Sequence, residues 1–376
     1  MSQLPQNHIK EPFVRITKRD LVSAKKAWGI RILGLLCALI VCAIVIFALT
    51  KLNPVSVYTS MFRGAFGTPR RSWQTIRDAM MLLCVALGLA PAFMMRFWNI
   101  GAEGQILVGG VATAGCMIYL GDKLPSVLLF AVMFAASVLA GAVWGFIPAL
   151  FKARFGTNET LFTLMMNYIA IQLTSYFVAL WEKPFGSNTV GIINDTTNAG
   201  WFQKLFGQQY GWNVVIVLLL TICMYFYLRH SKHGYEIQVV GESENTARYA
   251  GISVRRVIMR TMLISGGICG LSGFISVAGA GHTISVSTAG GRGFTAIIVA
   301  WLSKFNPFVM IIFSFLLAFL DKGAAEIASK FNLNDYVSDI LEGIILFFVL
   351  ASEFFITYKL IFRKTEKQSA KEETAA

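Results

Sequence analysis

Charge is scarce in this sequence. Only 14% of its 376 residues are Asp, Glu, Lys or Arg and 56% are hydrophobic, whereas a soluble chain carries roughly a quarter charged residues. A mean hydropathy of +0.62 agrees, and a soluble globular protein is excluded. Acidic residues are scarcer still, 20 against 33 Lys and Arg, for a net charge of +13. Gathered on one soluble face, that balance would suggest nucleic acid. Instead the segments 1–31, 152–159, 229–260 and 359–376, lying between or outside the apolar runs, carry 11 of the 13 excess charges. Basic flanks of this kind stay on the cytoplasmic side of a membrane, so membrane lipid is the expected surrounding and nucleic acid is not a partner.

Catalytic and metal-binding patterns are missing as well. No G-x-x-x-x-G-K-[ST] loop is present to cradle ATP phosphates, and neither H-E-x-x-H nor G-x-S-x-G occurs. Of the histidines His8, His230, His233 and His282, only the last lies near an apolar run. The cysteines Cys37, Cys42, Cys84, Cys116, Cys223 and Cys269 all fall inside apolar runs with no C-x-x-C pair. They read as small packing residues. These absences imply neither enzyme nor cofactor. The first apolar run follows about 30 residues of charged sequence with no small-residue cleavage site after it, as expected of a retained span.

Uncharged runs long enough to cross the hydrocarbon core occupy 32–50, 79–95, 104–121, 124–151, 160–181, 205–228 and 261–291. Residues 293–320, broken at Lys304 and Asn306-Pro307, predict one helix before the break and another after it, and 339–361 predicts a last span containing Glu353. The fold class is therefore all-α and polytopic, with about ten transmembrane helices and both termini inside. The domain reading is a basic tail over 1–31, a membrane domain over 32–361 and a polar tail over 362–376. Residues 51–78 carry Lys51, Arg63, Arg70, Arg71 and Arg77 against Asp78 alone, which predicts an interfacial segment. The loop 182–211, rich in Gly, Asn, Thr and Gln, predicts an outward-facing cap.

Polar residues at the mouths of spans are the candidates for function. Asn99, Gly101, Glu103 and Gln105 form a Gly-containing break before the third run, and a second break, Ala289-Gly290-Gly291-Arg292-Gly293, precedes the eighth. Unwound backbone at such a place must be buried in protein or line a watery path. A carboxylate there needs a partner or a polar task. Thr163 and Asn167, at i and i+4, share one helix face and suit either a polar solute or a neighbouring helix. Small residues packing helices closely are the competing reading of the glycines.

Between the basic flanks of 229–260 lies a stretch shaped like a short helix. Ser243 or Asn245 can cap it, Ala247 and Ala250 keep it slim, and Gly251 can end it. With Glu244, Arg248 and Tyr249 it predicts a cytoplasmic helix that fits a cleft on another protein.

These stretches resemble the permease subunits of bacterial ATP-binding-cassette importers for nucleosides and simple sugars, related to the ribose and branched-chain amino-acid permeases. The run from Asn99 to Gln105 is similar to the family's N-I-G-A-E-G-Q signature, in the form of its nucleoside branch. Residues 158–169 resemble a second marker, and Gly241–Gly251, Ser265–Gly273 and Gly293–Ala300 resemble the coupling segment and the helices after it. The likeness covers most of residues 50–350. It implies alternating access driven by separate ATPase subunits in the bacterial cell membrane. It also implies a second, paralogous permease and an extracytoplasmic solute-binding protein. By the resemblance, Asn99, Gly101, Glu103, Gln105, Thr163 and Asn167 line or gate the path. Glu244, Asn245, Ala247, Arg248, Tyr249, Ala250 and Gly251 couple to the ATPase. The stretch E-N-T-A-R departs from relatives that carry Ala where this chain has Arg248. A simple-sugar permease and an ion-coupled secondary transporter are the alternatives.

Overall fold

The computed structural model describes residues 14–362 apart from 20–22, 52, 206 and 333–334. The polar tail beyond Phe362 and His8 lie outside the described residues. Helices α1 Ala24–Thr50, α2 Pro54–Phe66, α3 Pro69–Met94, α4 Ala102–Leu120, α5 Ser126–Phe155 and α6 Glu159–Trp181 come first. After a long loop follow α7 Gly211–His230, α8 Lys232–Glu242, α9 Glu244–Tyr249, α10 Val254–Ser276, α11 Arg292–Leu302, α12 Pro307–Phe331 and α13 Asp335–Thr357. Among the described residues eight helices are long and apolar enough to cross a membrane: α1, α3 to α7, α10 and α12. Two further apolar segments, α11 and Gly343–Thr357 within α13, are shorter. The protein is thus an all-α polytopic membrane protein, and two of the ten expected crossings are short.

Residues 51–78 do not form one interfacial segment. Gly67 and Pro69 break the chain, and Thr68 caps α3 by accepting the Arg71 amide at 3.3 Å. Pro69–Asp78 is therefore the opening of a buried span, and only α2 stands apart. Charge alone misplaced the boundary, because Arg77 enters α3 together with Asp78, which it grips through two hydrogen bonds of 2.9 and 3.0 Å.

The chain forms two compact units, residues 1–60 with 327–376 and residues 61–326, and it crosses between them inside α2 and α12. In the first, α1 packs along α13. Gly34 allows this approach, since a Cβ there would lie 2.9 Å from the Ser352 Cβ. Arg31 and Glu353 pair at 2.6 Å, and Glu353 is thereby partnered inside an apolar run. One strand pair, unforeseen from the sequence, joins Val14–Lys18 to Tyr358–Phe362 in antiparallel register.

In the second unit α3 and α10 are the central, mostly buried helices, and α10 packs against α3, α4 and α5. Lipid tails are as apolar as leucine, so helices in a membrane associate by close packing instead of hydrophobic exclusion. A glycine seam provides that packing. A Cβ on Gly141 of α5 would stand 2.3 Å from the Gly266 carbonyl of α10, and one on Gly273 would stand 2.3 Å from the Ile106 carbonyl of α4. Past Ser276, α10 widens into a π-helical turn, Val277–Gly281, and the loop 282–291 leads to α11.

Candidate translocation and coupling sites

At the break between α3 and α4 the Asn99 and Gln105 side chains are buried and hydrogen-bonded. The Asn99 carboxamide uses both its ends: Oδ1 accepts from the Gly101 amide at 3.1 Å and Gln105 Nε2 at 3.2 Å, while Nδ2 donates to Ser265 Oγ at 3.1 Å. Asn99 is wholly inaccessible and Gln105 nearly so. From α6, Asn167 Nδ2 donates to the Ile100 carbonyl at 2.9 Å and Asn167 Oδ1 accepts the Gly104 amide at 2.8 Å. Thr163 Oγ1 accepts the Ile100 amide at 3.2 Å. Backbone groups freed by the unwound loop are thus satisfied by side chains one turn apart on α6, as buried groups in lipid must be. Gly101 fits because a Cβ would lie 3.2 Å from both Asn99 Oδ1 and Thr163 Cβ.

Glu103 faces the start of α11. Its Oε1 accepts the Gly291 amide at 2.7 Å and its Oε2 the Gly293 amide at 2.8 Å. A carboxylate on the otherwise unpaired amides of a helix N-terminus is favoured by hydrogen bonding and by the helix dipole together. The contact requires glycine at 293, where a Cβ would stand 2.5 Å from the Glu103 nitrogen. The two Gly-rich breaks read separately in the sequence are therefore one junction of α4, α6, α10 and α11. All six candidate path residues belong to it, and their polar groups turn inward.

A second charged cluster escaped the sequence reading. Asp78, almost buried, pairs with Arg77 at 2.8 Å, Lys322 at 2.8 Å and Arg292 at 3.5 Å. The lone acid among arginines was visible, but two of its partners lie more than 200 positions away. Beside it is a cavity of about 230 Å³ lined by Ser276, Thr283, Ser285 and Thr288. At the same end of α10, His282 stacks on Trp201 with centroids 3.9 Å apart, and burial holds its imidazole pKa below the usual value. Among the described residues no group of His, Cys, Asp and Glu could hold a metal ion.

The short helix expected from 242–256 is present as α9, capped by Ser243, whose Oγ accepts the Thr246 amide at 3.3 Å. Its two faces differ. Glu244, Asn245, Arg248 and Ala250 are exposed, and Tyr249 is 93% exposed. Gly251 ends the helix with φ +76° and open space around it. Ala247 turns the other way, fully buried in a cluster with Phe97, Ala149, Ile237, Val240, Val254 and Met262. Ala247 therefore anchors the helix and is not on its outer face. Phe97 is two residues before Asn99, so this cluster joins the exposed helix to the buried junction.

Residues 73–350 match the family described as branched-chain amino acid transport system permease component. The guanosine ABC transporter permease NupP of Bacillus subtilis is 31% identical over 84% of this chain and 90% of its own length, and a second guanosine permease of that organism, NupQ, also matches. The glucose ABC transporter permease TsgB13 of Haloferax volcanii is 27% identical over 92% of this chain and 93% of its own. The nucleoside ABC transporter permease NupB of Lactococcus lactis is 26% identical over 84% and 89%.

Proposed function

From the premise that the chain belongs to the branched-chain amino acid transport system permease family, and is an ABC permease of the nucleoside and sugar type, we propose that it imports nucleosides across a bacterial cell membrane. Its motion is driven by separate cytoplasmic ATPase subunits. It works beside a second permease, as NupP and NupQ in one organism suggest, and receives solute from an extracytoplasmic binding protein. The observation that carries this reading is the continuity from α9 to the junction. An ATPase cleft holding Tyr249 and Ala250 would pull on Ala247, and Ala247 packs in one cluster with Phe97. The same displacement reaches Asn99 and, through Glu103, the N-terminus of α11. The junction acts as the gate: its hydrogen bonds exchange together when the open side changes, a transition between two packed arrangements.

Against an ion-coupled mechanism stands the engagement of four acids: Asp78 by three cations, Glu103 by α11, Glu159 by Lys152 at 2.8 Å and Glu353 by Arg31. The likeness to TsgB13 keeps a simple sugar as the second reading. The test is uptake of radiolabelled guanosine by cells with and without this gene, with unlabelled glucose as competitor. Loss of guanosine uptake on deletion, restored by the gene and indifferent to glucose, is expected. Unchanged guanosine uptake with lost glucose uptake would overturn the nucleoside assignment.

A further inference from the structure

Helix α6 carries polar residues on two sides, and among the described residues only one set is used inside the chain. The outward set occupies the middle of the helix, with Leu161, Met165 and Leu180 exposed toward its ends. Thr163, Asn167, Ala170, Thr174 and Val178 are buried, on the side that meets α4. Outward stand Tyr168 and Tyr176, 58% and 63% exposed, with Gln172 and Ser175 also exposed. The spacing i, i+4, i+7 and i+8 sets these four in one stripe. Gln172 is the fourteenth of 23 residues of α6, which at 1.5 Å per residue leaves it roughly 13 Å or more from either end. A helix of this length crosses a hydrocarbon core of about 30 Å, so Gln172 lies well inside that core. The neighbouring spans behave otherwise. Outward residues along the middle of α5, such as Phe134, Leu139 and Val143, and of α7, such as Leu218, Leu219 and Ile222, are hydrocarbon.

An amide carries two donors and an acceptor, and lipid offers partners for none of them, so a carboxamide at this depth faces water or protein. We propose that the stripe Tyr168, Gln172, Ser175 and Tyr176 lines the translocation path and contacts the solute. This deepens the proposed function and rests on it. The stripe's chemistry is uncharged: no Asp, Glu, Lys or Arg lies between Glu159 and Glu182. It therefore suits a neutral, hydrogen-bonding solute. The amide pairs with the donor and acceptor edge of a nucleobase, and the tyrosine rings offer stacking surfaces that tolerate any base. The stripe thus supplies brief contacts of the kind transit needs.

The experiment uses the assembled transporter in proteoliposomes. A cysteine at 172 is treated with a membrane-impermeant thiol reagent, with wild type as background and Leu139→Cys and Leu219→Cys as controls at outward apolar positions. Labelling of Gln172→Cys at least about tenfold faster than either control, slowed by guanosine during ATP turnover, is expected. A rate equal to the controls, or one guanosine leaves unchanged, overturns the proposal. A second variant, Gln172→Leu, is expected to lower the saturated guanosine uptake rate roughly tenfold, the loss of one well-formed polar contact. Its second permease and ATPase should co-purify at wild-type yield. If the second permease is lost, the stripe is a subunit interface and the proposal falls. Wild-type assemblies that take up no guanosine refute the proposed function itself, whereas normal wild-type uptake with an unaffected Gln172→Leu refutes this inference alone.

Discussion

The junction at Asn99–Gln105 and the helix α9 are joined by one apolar cluster, yet they spend their polar groups in opposite ways. At the junction the side-chain amides and the carboxylate bond within the chain, and three of these residues, Asn99, Glu103 and Asn167, hold backbone that the unwound loop or the α11 terminus leaves open. On α9 the polar and aromatic side chains point away, and a single alanine holds the helix to the body. A buried polar residue can be essential to the fold and to motion at once, whereas an exposed one with no internal task is free to serve a partner. Substitutions at the junction should therefore change stability and transport together, and those on the outer face of α9 should change coupling alone.

The largest effect is expected at Glu103. Glu103→Ala leaves two helix-terminal amides, one buried and one part-buried, without an acceptor, a loss of roughly 3 kcal/mol for two charge-assisted bonds. Glu103→Gln keeps one acceptor and should lose less. Thermal unfolding of the purified chain in detergent measures both, and equal melting points for wild type and Glu103→Ala would break the comparison at its first term. Next comes Ala247→Trp, which forces volume into a packed cluster at a cost of about 1–3 kcal/mol. Ala250→Trp, three residues on and exposed, should unfold at the wild-type temperature. A lowered melting point for both would mean that the two faces of α9 do not differ.

Smaller and more specific is the effect of pH at His282. Its folded pKa lies below that of the unfolded chain because burial disfavours the imidazolium. The sign follows: the unfolded state takes the proton first, so the stability contributed by the neutral ring is present above about pH 6.5 and is lost as pH falls through that value toward the folded pKa. His282→Gln should flatten that part of the stability profile between pH 7.5 and 5. An identical profile in wild type and variant would remove His282 as its cause.

Much of this was legible in the sequence, and the failures have physical reasons. Apolar runs found the spans, since a continuous hydrocarbon surface needs no long-range information. The break between α11 and α12 was visible from Lys304, Asn306 and Pro307, and α9 from Ser243 and Gly251. The start of α3 was not legible, because its arginines look interfacial until Asp78 is seen gripping Arg77. Nor could spacing show that Glu103 meets Gly291 and Gly293, 188 and 190 positions away. The strand pair was invisible for the same reason: short stretches beside the first and last helices meet only in the folded chain. Ala247 and Ala250 looked equivalent by size. Only the turn of the helix separates them, sending one into the core and the other out.

The central claim is that the outer face of α9 receives the ATPase and does nothing else. Its most direct measurement is the affinity of the purified partner ATPase for detergent-solubilised wild type, Tyr249→Ala and Ala250→Trp, with melting points taken on the same samples. The account expects unchanged melting points and binding weakened roughly 5- to 150-fold in Ala250→Trp, the range that about 1–3 kcal/mol of overpacking gives, with Tyr249→Ala weakened as well. Wild-type affinity in both variants would contradict it.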